Sequence, residues 1–157
     1  MRILLFLITA LVLTSCEVAV DAQANGKPDV AYLKAPGTEN MDLPFTAAVR
    51  LNNTLYLSSA LGIPPGTRQL VEGGIQAETR QTLENISRTL ENSGSSIDNV
   101  VKCTVFLADM SEWAAMNEVY TTFFKNKPAR SAIAASGLAL DARIEIECIA
   151  WVESGLP

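Results

Sequence analysis

Hydrophobic positions along this 157-residue chain switch between a period of two and a period of three to four, and the switches mark its elements. Residues 46–51 and 54–58 are β-prone runs around Asn52-Asn53, the pattern of a hairpin closed by a two-residue turn. Over 75–93 the apolar residues Leu83, Ile86 and Leu90 recur at helical spacing among polar ones, and Gly94 follows as a C′ stop. That predicts an amphipathic helix. Residues 100–107 are rich in β-branched side chains and predict a strand. Asp109, with Glu112 three positions on, predicts the N-cap of a second helix. Its buried stripe would be Trp113, Met116, Tyr120 and Phe123/Phe124. Residues 130–135 and 142–152 predict two final strands separated by a loop containing Gly137. The order is ββ, α, β, α, ββ, an α/β chain.

The last strand has two unlike faces. Alternation puts Ile144, Ile146, Cys148, Ala150 and Val152 on one side, as expected of a core face under the helices. Arg143, Glu145, Glu147, Ile149 and Trp151 point the other way. That second set is too apolar for bulk water and too charged for a packed core, which suggests a subunit interface carrying a few polar groups. A solvated face with one stray tryptophan is the plainer alternative.

The N-terminus breaks the pattern. MRILLFLITALVLTSC has one positive charge, at Arg2, and then an apolar run over 3–12 that is too short to span a ~30 Å hydrocarbon core. This is the form of an export signal. Leu13-Thr14-Ser15-Cys16 resembles the bacterial lipobox, in which the cysteine is lipidated and becomes the mature N-terminus. Cleavage after Val20-Asp21-Ala22, releasing a soluble protein, is the competing route. Both lead out of the cytoplasm, to a bacterial cell envelope or periplasm, with a lipid anchor to the membrane in the first case. The expected organisation is a signal peptide over 1–15, a flexible tether over 16–29, one domain over 30–153 and a tail over 154–157.

Composition narrows the chemistry. At 48% hydrophobic the chain has apolar material for one core and little room for a second domain. The net charge of −5 and the lack of a Lys/Arg-rich run argue against nucleic acid as a partner. With no histidine and three scattered cysteines, the usual zinc spacings and any His-based triad are absent. Chemistry therefore falls to Arg, Glu, Asp, Ser, Tyr or water. Cys103 and Cys148 lie in apolar strand-like runs and read as small buried hydrophobes, with a disulfide as the minor alternative. Arg130 stands out as one arginine in NKPARSAIAASGLAL, a stretch otherwise built mostly of small and apolar side chains.

Four segments together resemble the RidA/YjgF family of enamine/imine deaminases: GIPPGTRQLVEGGIQAETRQTLENI, VVKCTVFLADMSEWAAMNEVYTTFF, Pro128-Ala129-Arg130 and RIEIECIA. The resemblance spans about residues 30–153 with order and spacing kept. It implies a chorismate-mutase-like sandwich, one mostly antiparallel sheet with two helices on one face. It also implies a homotrimer with sites in clefts between subunits, and neither metal nor organic cofactor. The activity implied is hydrolysis of reactive 2-imino acids to 2-oxo acids and ammonia.

Carried onto this sequence, the family's carboxylate-clamping arginine is Arg130, and a guanidinium fork suits that role because it binds a carboxylate bidentately. The glutamate that positions or activates the attacking water is Glu145. Ser58, Asn117 and Tyr120 fall on family pocket positions. Three positions depart from the family pattern. Phe45 replaces a tyrosine on the pocket wall, Ser58-Ser59-Ala60 replaces a Ser-Gly-Gln, and Ala132 replaces a cysteine. They imply a pocket suited to a bulkier or more apolar side chain. A non-catalytic trimeric module binding a small carboxylate or a protein is the alternative function, and chorismate mutase activity rests on fold analogy alone.

Overall fold

The computed structural model describes residues 27–35 and 42–153. The export segment over 1–15, Cys16, most of the 16–29 tether and the 154–157 tail lie outside the described residues. Among the described residues, seven strands and two α-helices form two layers. The strands are β1 (Val30–Leu33), β2 (Ala48–Leu51), β3 (Thr54–Leu57), β4 (Ala60–Leu61), β5 (Val100–Leu107), β6 (Ala129–Ala134) and β7 (Ile144–Trp151); the helices are α1 (Gly74–Asn92) and α2 (Trp113–Phe123).

The sheet runs β1-β2-β3-β7-β5-β6, with β4 also paired to β7. All pairings are antiparallel except β5 with β6, which α2 connects. A parallel neighbour needs such a crossover, whereas β2 and β3 need only the Asn52-Asn53 turn, where Asn52 takes φ 52°. The expected fold class holds, with β1 and β4 as added strands. Strand β3 and strand β4 lie end to end along one edge of β7, separated by Ser58 and Ser59.

Both helices cover one face of the sheet. Leu83, Ile86 and Leu90 of α1 and Met116 of α2 meet Leu55, Val105, Leu107, Ile144 and Ile146, each 1% exposed or less. Helix α1 stops where the sequence says it should, with Gly94 at φ 76° and the Ser95 N–H on the Leu90 carbonyl. The expected alternation of β7 is also observed, with Ile144, Ile146, Cys148 and Ala150 buried under the helices.

Cys103 and Cys148 form a disulfide, which corrects the expectation of two separate buried thiols. The register of β5 on β7 sets the two residues directly opposite, with Cα atoms 4.1 Å apart. Antiparallel partners approach to roughly 4.5 Å at alternate positions, inside bridging distance. Neither strand alone carries that register.

Among the described residues, no helix covers the opposite face of the sheet. Tyr56, Ile149 and Trp151 from β3 and β7 stand there with Phe106 and Ile133 from β5 and β6, and Glu145 and Glu147 are interspersed. Tyr56, Ile133 and Trp151 are each more than 40% exposed.

Candidate active site

Arg130 is the second residue of the edge strand β6, and its parallel partner is Cys103. It therefore points to the helix side, where a stripe of α2 receives it. Trp113, Asn117 and Tyr120 are spaced i, i+4, i+7 and share one helix face. The Arg130 Nη1 donates to Asn117 Oδ1 at 2.6 Å, and its Cζ lies 4.6 Å from the centre of the Tyr120 ring and 5.8 Å from that of Trp113. Two aromatic faces thus carry the cation. No ion pair to Arg130 is present among the described residues.

Tyr120 is buried, and its hydroxyl has no hydrogen-bond partner among the described residues. Burial pushes its pKa up to about 12, against a smaller opposing pull from the Arg130 charge. Trp113 is 42% exposed, which corrects its assignment to the buried stripe. Helix α2 begins at Trp113, after a 3₁₀ turn over Met110–Glu112, and there the ring lies beside Arg130. Asp109 caps that 3₁₀ turn rather than α2 itself, whose N-cap is Glu112; the Asp109 carboxylate accepts from the Ser111 N–H at 2.8 Å, which holds its carboxyl below the usual range.

Glu145 occupies the other face. It is half-buried near the start of β7, and the Ser59 hydroxyl donates to its Oε1. Ser59 is free to do so because it lies in the break between β3 and β4. Helix α1 fixes that break from behind: Asn85 Nδ2 donates to the carbonyls of Leu61 and Ile63 at 3.0 and 2.8 Å. Gly62 packs so closely on α1 that a Cβ there would lie 2.9 Å from the Glu78 Cα. Glu78, itself buried, accepts the Arg143 backbone N–H at 2.8 Å and so sets where β7 starts. The Arg143 guanidinium also pairs with Glu112, tying α2 to the same point. None of Asn85, Glu78 and Gly62 carries a sequence signal of its own, because each matters only through a loop packed on α1.

Ser58 donates to the Thr46 carbonyl at 2.6 Å, so its hydroxyl holds the segment before β2. Ser58, Ser59 and Phe45 line a cavity of about 630 Å³ together with Tyr32, Leu43 and Val49. The expected site residues therefore form two groups: Arg130, Asn117 and Tyr120 in one, Glu145, Ser59, Ser58 and Phe45 in the other.

The two groups do not meet within one chain. Arg130 aligns with Cys103, and Cys103 with Cys148, so Arg130 shares the helix-covered face with the even-numbered residues of β7. Glu145, three residues from Cys148, projects from the opposite face.

A family model described as Endoribonuclease L-PSP matches residues 35–152. The chain is a member of that family, the RidA/YjgF group. It is 42% identical to mouse 2-iminobutanoate/2-iminopropanoate deaminase over 122 residues, covering 77% of this chain and 88% of that one. A RutC family protein of Pyrococcus horikoshii is 45% identical over 111 residues, covering 70% and 88%. Among solved structures, E. coli TdcF with bound serine superposes with a TM-score of 0.67 at 29% identity, covering 78% of this chain and 94% of that one. The sheet and two helices of this RidA/YjgF member are thus those of its relatives.

Proposed function

We propose that this chain is a hydrolase that deaminates reactive 2-imino acids to 2-oxo acids and ammonia, with Arg130 binding the carboxylate and Glu145 serving the water. The observation that carries this reading is the state of Arg130. A guanidinium with no carboxylate partner among the described residues, braced by Asn117 and stacked on two rings, is preorganised for an anionic ligand. The kinship with deaminases at about 40% identity supports the reaction class.

In the reaction, the water oxygen attacks the imine carbon, and the C=N π pair moves onto nitrogen. Glu145 takes a proton from the water and passes it to that nitrogen, giving a carbinolamine; it then carries the remaining hydroxyl proton to the same nitrogen, and the C–N bond breaks as the C=O bond forms, releasing ammonia. Because Ser59 already donates to Glu145, the carboxylate is held in one orientation. General acid–base help of this kind contributes about 10² to 10⁴ in rate.

The site is completed by assembly. Arg130 and Glu145 project from opposite faces of one sheet, so a working pair takes them from two chains. The exposed apolar set on the helix-free face, Tyr56, Ile133 and Trp151, supports association through it. A closed trimer then gives three equivalent clefts.

The protein acts outside the cytoplasm in this proposal, exported by its first fifteen residues and anchored through lipidated Cys16. The disulfide supports an oxidising compartment. Radiolabelled palmitate appearing at Cys16, and lost in Cys16→Ser, tests the anchor. For the activity, 2-imino acids are generated in situ from L-amino acids and their decay is followed with purified protein. Decay no faster than in buffer, or an Arg130→Ala variant as active as the parent, refutes the deaminase reading.

A further inference from the structure

The cavity beside the Ser59–Glu145 pair is far larger than a small imino acid needs. A three-carbon 2-imino acid has six heavy atoms, and even at a water's share of liquid volume for each, ~30 Å³, it fills no more than about 180 Å³. The cavity holds about 630 Å³, within the usual range of pockets that enclose ligands of many more atoms.

Its walls point to what fills the rest. Tyr32, Leu43, Phe45 and Val49 supply an apolar wall, while the hydroxyls of Ser58 and Ser59 mark the end nearest Glu145. Both hydroxyls are committed, to Thr46 and to Glu145, so neither asks for a polar group on the substrate's side chain. Phe45 is 60% exposed and Tyr32 72%. Aromatic rings left open to water at the rim of a cavity gain by covering a large apolar group.

We infer that the substrates are 2-imino acids bearing a large apolar side chain, of leucine or phenylalanine size, seated against Phe45 and Tyr32. This rests on the reading of Arg130 and Glu145 as the carboxylate and water sites. The reactive end lies at the Ser59 end of the cavity, and the side chain extends away from it along the apolar wall.

The test compares imines made in situ by an L-amino-acid oxidase from L-phenylalanine, L-leucine and L-alanine, acting on the assembled full protein. The expected kcat/KM for the phenylalanine-derived imine exceeds that for the alanine-derived one by roughly tenfold or more, the discrimination an apolar pocket provides. Phe45→Ala, exposed enough to fold normally, shrinks that ratio by at least about fivefold, and Phe45→Leu restores part of it. Calorimetric binding of phenylpyruvate against pyruvate follows the same order. If no imine decays faster than in buffer, the deaminase reading falls and this inference with it. If alanine-derived imine is consumed as fast as the larger ones, the deaminase reading stands and this inference alone falls. If Phe45→Ala weakens chain association and leaves the ratio unchanged, a neighbouring chain covers the wall and the inference is wrong.

Discussion

The guanidinium carbon of Arg130 lies 4.6 Å from the centre of the Tyr120 ring, and that ring's own hydroxyl is buried with no hydrogen-bond partner among the described residues. The phenol is thus held neutral beneath a cation, with its pKa at about 12. An unfolded chain releases that proton near pH 10, whereas the folded chain keeps it to about 12. Folding therefore loses stability as pH rises through that window, because the unfolded state binds fewer protons there. Urea unfolding midpoints of parent and Tyr120→Phe, measured from pH 8 to 12, are expected to differ in slope, with the variant flatter above pH 10. Parallel curves would remove Tyr120 as the source.

Asn117 supplies the one side-chain hydrogen bond that orients Arg130 among the described residues. Hydrogen bonds to charged groups contribute about 1.5–3 kcal/mol, so Asn117→Ala is expected to raise KM about 10- to 100-fold with a smaller effect on kcat. Asn117→Asp is expected to be worse, since a carboxylate there becomes a permanent partner for the guanidinium and competes with the substrate. Steady-state kinetics on both variants separates orientation from charge.

The disulfide closes a span of 45 residues between β5 and β7. In the chain-entropy account a loop of that size stabilises by about 4 kcal/mol. Cys103→Val with Cys148→Val is expected to lower the unfolding free energy by a large part of that amount, and reductant is expected to affect the parent only. The bridge is buried, so the reductant acts after unfolding begins.

Gly62→Ala places a Cβ 2.9 Å from the α1 backbone at Glu78. Overpacking of this kind costs about 1–3 kcal/mol. Thermal unfolding is expected to show that loss. Because the same loop leads back to Ser59, kcat is expected to fall with it.

Much of this was legible in the sequence. Helix α1, the hairpin at Asn52-Asn53 and the two faces of β7 follow from periodicity, because each element buries one regular stripe. Strands β1 and β4, of four and two residues, are too short to show a period and form only because β2 and β7 offer them an edge. Pairing of Cys103 with Cys148 depends on inter-strand register. Trp113 continues the spacing of Met116 and Tyr120, yet it lies beside Arg130 rather than inside the core. The motif residues were visible, but not that Arg130 and Glu145 leave the sheet on opposite sides, which takes the parallel register of β6 on β5 to establish.

That opposition is the centre of the account, and mixed assembly tests it most directly. Arg130→Ala and Glu145→Gln, each inactive alone, are coexpressed with different tags, and doubly tagged oligomers are isolated and assayed. If each cleft takes Arg130 from one chain and Glu145 from its neighbour, every mixed trimer holds one intact cleft in three, and about a third of parent activity returns. Mixed oligomers as inactive as either variant alone would mean that both residues serve from the same chain, contradicting the shared site.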